Sequence, residues 1–168
     1  MRLIVLIGAS GSGKTTLARR LEKKLPKDAA IFLYFDRIFG TKPFGVVVEN
    51  SDEDSQRIAT ETWCKIIARD FGEAGAVILD GQTRWSFVQG GCFLAGLPAP
   101  ELILIDCEDA ERTRRLTERR QPELANQQMM DWAKWLRNDA AARRFPVLDT
   151  TNKGLGDCET RLLEIIGI

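Results

Sequence analysis

An octapeptide near the amino terminus constrains this chain more than any other feature. Residues 8–15 read Gly-Ala-Ser-Gly-Ser-Gly-Lys-Thr and fit the pattern G-x-x-x-x-G-K-[ST] at every fixed position. An apolar run at residues 3–7 precedes them and a helical pattern at residues 14–25 follows, which is the strand–loop–helix context that the pattern requires. Glycines let the backbone curl so that its N–H groups point inward, and a helix start adds further N–H donors. The octapeptide therefore predicts a site for the phosphates of a nucleoside triphosphate.

Two side chains of this loop have expected roles of their own. Lys14 is expected to reach the β- and γ-phosphates, and the Thr15 hydroxyl is expected to ligate Mg²⁺. The residues expected to bind the nucleotide through the loop and the helix start are Gly8, Ala9, Ser10, Gly11, Ser12, Gly13, Lys14, Thr15 and Thr16. No base-reading motif distinguishes ATP from GTP.

Composition excludes several classes of function. Lys plus Arg and Asp plus Glu number 24 each, so no net charge draws the chain to nucleic acid or to an anionic membrane. The longest apolar runs are too short to span a bilayer, and the first strand begins directly after residues 1–2, which leaves no room for a signal peptide. The chain has no histidine, so a His-based triad or zinc site is excluded and acid–base work falls to carboxylates. Scattered cysteines predict reduced, mostly buried thiols in a cytoplasmic protein: Cys64, Cys92, Cys107 and Cys158.

Apolar runs and helical patterns alternate along the rest of the chain. Unbroken apolar runs predict further buried strands at 30–35, 76–79, 101–106 and 145–149. Helical patterns lie at 51–73, 86–97, 109–120, from 126 onward, and 157–166. This alternation predicts a five-stranded parallel sheet with helices on both faces, a three-layer α/β/α fold. The 168 residues are expected to form a single domain.

In parallel sheets, ligands bind beyond the carboxyl ends of the strands, so polar residues there are candidates for substrate binding. Asp36 follows the second strand and could accept a proton or hold a Mg²⁺-bound water; its structural alternative is a turn aspartate. Asp80 ends the third strand, a position from which an aspartate can orient water on the Mg²⁺ of the phosphate loop. The structural alternative is a plain strand-terminating residue. Arg84 is a bidentate anion ligand or a solvated surface arginine. Together with Arg37, these residues predict a second-substrate site.

Five arginines lie within nine residues: Arg112, Arg114, Arg115, Arg119 and Arg120. On a helix, Arg112, Arg115 and Arg119 share one face, because they are three and four residues apart. Such a surface predicts a clamp on the triphosphate, where arginine neutralises developing charge. Pairing at i,i+4 with Glu108 and Glu111 is the structural alternative.

A short helical lid is expected after this arginine cluster. Pro122 ends the helix, so residues of about 119–137 are predicted to form a mobile flap. Further arginines follow on its far side, and which of them approach the phosphates stays open: Arg137, Arg143 and Arg144. Among the aromatic residues, Trp85 and Phe44 fall in predicted loops and are candidates for substrate contact, whereas Trp63 and Trp132 fall on apolar helix faces.

These residues resemble the P-loop kinase group that contains adenylate kinase, shikimate kinase and gluconate kinase. The loop at 8–15 matches in full, and residues 79–84, Leu-Asp-Gly-Gln-Thr-Arg, are similar to the adenylate kinase segment whose arginine holds the acceptor's phosphate. The resemblance implies that role for Arg84. Residues 115–120 resemble the R-[IL]-x-x-R start of the adenylate kinase lid, which implies that Arg115 and Arg119 hold ATP phosphates. Asp36 is similar to the aspartate of shikimate and gluconate kinases that works at the acceptor hydroxyl.

The resemblance implies phosphoryl transfer from Mg²⁺-bound ATP to a small-molecule acceptor. Asp36 would orient or activate the acceptor hydroxyl, Arg84 would hold an anionic part of it, and the lid arginines would clamp the migrating group. A nucleoside monophosphate kinase is the first alternative. An ATP-binding or ATP-hydrolysing regulatory module without an acceptor is the second. A polynucleotide acceptor is disfavoured by the balanced charge, and monomer and homodimer both stay open.

Overall fold

The computed structural model describes residues 1–38 and 53–167. The strands in these ranges are β1 (Arg2–Ile7), β2 (Ile31–Tyr34), β3 (Ala76–Asp80), β4 (Glu101–Asp106) and β5 (Val147–Asp149). The helices are α1 (Lys14–Lys24), α2 (Glu53–Phe71), α3 (Trp85–Ala95), α4 (Asp109–Glu118), α5 (Gln127–Arg143) and α6 (Leu155–Ile166). Short 3₁₀ turns lie at Phe35–Ile38 and Pro122–Leu124.

Within the described residues, the strands form one five-stranded parallel sheet in the order β2-β3-β1-β4-β5 with helices on both sides. The predicted α/β/α fold is confirmed. β3 is buried along its whole length, and β1 is buried from Leu3 onward, because helices cover both faces of the sheet. The register pairs Tyr34 with Asp80 and Asp106 with Asp149, so strand ends meet at their carboxyl edge.

The chain divides into two compact units, Met1–Val5 with Leu25–Glu101 and Leu6–Lys24 with Leu102–Ile168. In the first unit, α2 packs against α3 and against the 3₁₀ turn after β2. In the second unit, α1 packs against α6, and the buried Glu159 accepts ion pairs from Arg20 and Lys24 at 2.8 and 2.7 Å.

Several predicted boundaries move by a few residues for identifiable reasons. β2 ends at Tyr34, because the next residues turn into a 3₁₀ helix. β5 starts at Val147, because the preceding Phe145 N–H bonds to the Ala140 carbonyl at 2.9 Å and completes the end of α5. Trp85 was predicted in a loop but is the first residue of α3. The candidate Phe44 and the predicted helix start at residue 51 lie outside the described residues.

The described helices and thiols bear on two further expectations. Not one of the described helices combines the length and the apolar character that a bilayer crossing demands. The four cysteines are free thiols, each at most 2% exposed, so their predicted burial is confirmed.

Candidate functional site

The loop between β1 and α1 has the backbone shape that the octapeptide predicts. Gly11 and Gly13 have φ values of +82° and +93°, in the left-handed region that side-chain-bearing residues rarely adopt. The Ser12 N–H donates to the Ala9 carbonyl at 3.2 Å and tightens the turn. α1 then begins at Lys14, where the N–H groups of the first turn have no partner within the helix. A curled loop that leads into a helix start has the donor geometry that suits anions.

A glycine at position 8 is required by close packing rather than by φ. A Cβ there would lie 2.3 Å from the Ile105 carbonyl oxygen and 2.8 Å from the Ser12 hydroxyl oxygen. A side chain at this position would therefore push the loop away from the end of β4. The first glycine of the motif sets how closely the loop lies on the sheet.

The loop retains a polar group that the described protein does not satisfy. The Ser12 hydroxyl is buried and has no hydrogen-bond partner among the described residues. Burying a hydroxyl without a partner costs free energy, so an oxygen-rich ligand in the loop fits it. Among the described residues, no cluster of three or more His, Cys, Asp or Glu side chains could hold a metal ion. Mg²⁺ fits such a site because it binds through phosphate oxygens, water and one or two protein oxygens, here the Thr15 hydroxyl.

A cavity of about 400 Å³ adjoins the loop. Its walls are mixed, with leucine side chains beside charged ones, as in pockets for small organic ligands. It is lined by Gly11, Gly13, Thr16, Leu17, Glu111, Arg114, Arg115, Glu118, Arg119, Thr150, Lys153, Leu155 and Cys158. The sequence interpretation missed the last four, which belong to the segment after β5 and the start of α6. The signal was available, since Thr150 directly follows the carboxyl end of a strand.

Arg115 fastens α4 to the loop and to the end of β5. Its guanidinium donates to the Thr150 hydroxyl and carbonyl oxygens at 2.8 Å each, and to the carbonyls of Ser12 and Gly11 at 3.2 and 3.4 Å. The Glu111 carboxylate accepts from its Nε at 2.7 Å. In this structure Arg115 thus borders the cavity, but its donors hold protein oxygens and brace the loop.

Glu111 neutralises two of the clustered arginines. Its carboxylate is 9% exposed and accepts hydrogen bonds from Arg114 and Arg115 at 2.7–2.8 Å. The Arg114 guanidinium first, and Arg115 next, lower the pKa of Glu111 from 4.5 to about 2. The i,i+4 pair of Glu111 with Arg115, the structural alternative for this part of the cluster, is therefore present.

This pKa shift predicts a pH dependence of stability. Because the folded pKa of Glu111 lies below the unfolded value, its ionised form stabilises the fold fully above about pH 4.5, and this contribution is lost as the pH falls toward 2. We expect the unfolding free energy of the wild type to exceed that of Glu111→Gln by an amount that shrinks between about pH 6 and pH 3. Urea unfolding of both proteins across this range measures the difference. A difference that stays constant would contradict the assignment.

Arg112 does not belong to the predicted surface of three guanidinium groups. Its side chain is fully buried, and it donates to the Asp106 carboxylate at 2.7 Å and to the Ser10 carbonyl at 2.9 Å. These bonds occupy the guanidinium with protein oxygens, so the predicted contact of Arg112 with the nucleotide stays a prediction, and Asp106 takes the place of the alternative partner Glu108 among the described residues. Helix α4 starts just after β4, so its first turn directs Arg112 back onto the strand end and the loop backbone.

The other arginines that were predicted near the phosphates, in the cluster and beyond the lid, differ in exposure. Arg119 is exposed at the end of α4, and its guanidinium donates to the Gln121 side chain at 2.6 Å. Arg137 of α5 is tied to Asp106 and, at 2.7 Å, to Asp109. Arg143 pairs with Asp139 at 2.7 Å. Arg119 therefore lines the cavity with an exposed side chain, whereas Arg137 joins α5 to the end of β4.

In the first unit, α2 holds the two segments that carry the predicted second-substrate residues. The Trp63 indole N–H donates to the Phe35 carbonyl at 3.1 Å, next to Asp36. The Thr60 and Thr83 hydroxyls share a buried hydrogen bond of 2.6 Å, one residue before Arg84. Trp63, which the sequence interpretation assigned to core packing, thus also positions the backbone beside a candidate carboxylate.

These second-substrate candidates are exposed to different degrees. Asp36 and Arg37 lie exposed on the 3₁₀ turn, with the Arg37 guanidinium 5.0 Å from the Tyr34 ring centre. Asp80 is 5% exposed at the end of β3. Arg84 is about a quarter exposed and donates to the Glu53 carboxylate at 3.2 Å. An exposed carboxylate and a partly exposed guanidinium are suited to an acceptor with a hydroxyl and an anionic group.

Comparison with known proteins finds a family model and solved structures that match this chain. A family model described as an AAA domain matches residues 4–139. A gluconokinase from Sinorhizobium meliloti 1021 superposes with a TM-score of 0.69 at 13% identity, covering 99% of this chain and 91% of that one. A sugar kinase from Janibacter sp. HTCC2649 superposes with a TM-score of 0.66 at 16% identity, covering 100% and 95%. No curated protein sequence matches the chain. At these identities the two structures share its fold, that of the small P-loop kinases.

Proposed function

Because this chain belongs to the AAA domain family and carries the phosphate loop in full, we propose that it is an ATP-dependent kinase of a small molecule. The observation that carries the proposal is the loop itself. Gly11 and Gly13 turn it with positive φ, and it leads into α1 beside a cavity of about 400 Å³. The kinase fold of the two solved neighbours supports phosphoryl transfer over a regulatory module without an acceptor.

On the donor side, the loop N–H groups and the Lys14 ammonium hold the β- and γ-phosphates. Thr15 would hold Mg²⁺, which would neutralise phosphate charge when bound. The cavity next to Arg115 takes the nucleoside, because its volume and its leucine walls suit a flat base. Arg119, with its exposed side chain, approaches the phosphates from the lid. Arg115 contributes by keeping the loop carbonyls fixed.

On the acceptor side, Asp36 accepts the proton of the acceptor hydroxyl while the oxygen of that hydroxyl forms a bond to the γ-phosphorus. The bond from that phosphorus to the β–γ bridging oxygen breaks, and ADP leaves with the electron pair. Arg84 exchanges its Glu53 partner for an anionic group of the acceptor, and Arg37 adds a second positive charge. Asp80 would orient a water molecule on Mg²⁺.

Replacing Asp36 with asparagine tests this assignment. Asparagine keeps the size and removes the proton acceptor, so we expect kcat for transfer to fall by about 100-fold or more while ATP affinity is unchanged. A coupled ADP-release assay and calorimetric titration with Mg-ATP measure the two quantities. Asp28→Asn, which removes an exposed carboxylate from the turn after α1, is the matched control and should retain both.

The acceptor panel for this assay contains gluconate, simple sugars, other hydroxylated acids and nucleoside monophosphates. Transfer to a hydroxyl compound that is lost in Asp36→Asn supports the proposal. Transfer to a nucleoside monophosphate would replace it with the nucleoside monophosphate kinase alternative. Slow ATP hydrolysis that no acceptor stimulates and that Asp36→Asn leaves unchanged would indicate a regulatory module instead.

A further inference from the structure

Helix α3 presents two large apolar side chains to solvent. Phe93 is 85% exposed and Leu94 is 66% exposed, more than any other large apolar side chain in the described part of the chain. Val88 and Cys92, on the inner face of the same helix, are buried against the rest of the unit. A single exposed leucine is ordinary, but two adjacent large apolar residues at this exposure are typical of a surface that a partner covers.

The same helix and the segment after it carry no charge. Residues 85–100 contain no Asp, Glu, Lys or Arg, although these types make up 29% of the chain. A solvated helix face normally carries charged residues, whereas the cores of protein interfaces are depleted of them. An uncharged face is also complementary to itself, because two copies brought together by a two-fold axis meet without like-charge repulsion.

Gly90 lies on the exposed face one turn before Leu94. A Cβ at Gly90 would meet nothing within 4 Å, so packing inside the chain does not require this glycine. Its neighbour Gly91 differs, since a Cβ there would lie 2.9 Å from the Cys64 sulfur. Glycine inside a helix destabilises it relative to alanine, so the bare backbone at Gly90 is a cost that a partner's side chain can offset.

From these observations we propose that the chain forms a homodimer in which α3 packs antiparallel against α3 of a second copy. In a two-fold pair centred between Gly90 and Phe93, the Phe93 ring of each copy covers Gly90 of the other, and Leu94 faces Gln89. Phe93 and Leu94 together present on the order of 300 Å² in each copy, over a third of the ~800 Å² that a standard interface buries per partner. None of the proposed catalytic groups belongs to α3.

Sedimentation velocity of the full chain tests the proposal. Between about 1 and 100 µM, the wild type should sediment at twice its 18.9 kDa mass. Phe93→Glu places a charge in the apolar contact, and Gly90→Gln fills the space that the partner's ring occupies. Each should weaken the dimer by about 100-fold or more. Gly156→Gln is the matched control, because Gly156 is also an exposed helical glycine whose Cβ would meet nothing within 4 Å, and it should remain dimeric.

Folding of the variants is checked by circular dichroism and thermal melting. Gly90→Gln should melt no lower than the wild type measured at a concentration where the dimer has dissociated, because glutamine is the better helix former. A wild type that sediments as a monomer at the highest concentration overturns the proposal, whether another protein covers the face or nothing does. A folded Phe93→Glu that dimerises as tightly as the wild type overturns it as well.

Discussion

Replacing Lys14 with alanine is expected to lower kcat/KM for phosphoryl transfer by about 1,000-fold, the largest effect on activity in this protein. The Lys14 ammonium group is the one side-chain cation that the octapeptide places on the β- and γ-phosphates, and the methyl side chain of alanine carries no charge to replace it. The fold should be unaffected, since alanine is the best helix former and position 14 is the first residue of α1. Steady-state kinetics with Mg-ATP and the acceptor found in the panel measure the effect.

Lys23→Ala is the control for this prediction, because it removes an exposed lysine from the last turn of the same helix. It should leave both kinetics and Mg-ATP affinity unchanged. If Lys14→Ala instead binds and turns over Mg-ATP like the wild type, the loop is not a nucleotide site and the proposed function fails with it. The proposed α3 dimer would survive that result, since sedimentation measures it without nucleotide.

Replacing Arg112 with methionine is expected to cost about 3–5 kcal/mol of unfolding free energy, the largest effect on stability. Methionine fills part of the volume but leaves the Ser10 carbonyl without its donor and the Asp106 carboxylate without one of its two arginines. For a chain of this length, such a loss should lower Tm by about 10 °C. Differential scanning calorimetry measures it directly.

Arg114→Gln is the matched control on the same helix. Arg114 is 56% exposed, its partner Glu118 lies at the surface, and its buried partner Glu111 keeps the bond from Arg115, so loss of Arg114 should move Tm by less than about 2 °C. Equal effects of the two substitutions would show that burial of the Arg112 guanidinium does not determine its contribution. Because Arg112 holds the Ser10 carbonyl, residual folded Arg112→Met should also bind Mg-ATP more weakly, whereas Arg114→Gln stays close to the wild type.

The strand–helix alternation could be predicted because each element has a local cause. Buried strands are unbroken apolar runs, and the start of α5 at Asn126 follows from a side chain that accepts the Met129 N–H at 2.9 Å. The start of β5 was predicted two residues early, because the hydrogen bond from Phe145 back to Ala140 depends on how α5 ends. Boundaries of this kind depend on which backbone groups are already paired.

The arginine cluster shows where sequence reasoning about a site stops. Spacing places Arg112, Arg115 and Arg119 on one helix face, but a helix face does not state what it packs against. In the structure Arg112 is buried on Asp106, Arg115 is bound to Thr150, and Arg119 is exposed. The same spacing therefore places one arginine in the core, one between the loop and the end of β5, and one at the surface.

By itself, the sequence determined the phosphate loop and the layered parallel fold, because both follow from residue types at short, fixed spacing. Gly11 and Gly13 adopt positive φ for local steric reasons, and apolar runs are buried wherever the sheet forms. Only the tertiary structure decided that Thr150 joins the loop and that Phe93 stays exposed. Those outcomes depend on which segments, far apart in the chain, come within a few ångströms of each other, and local spacing carries no information about that.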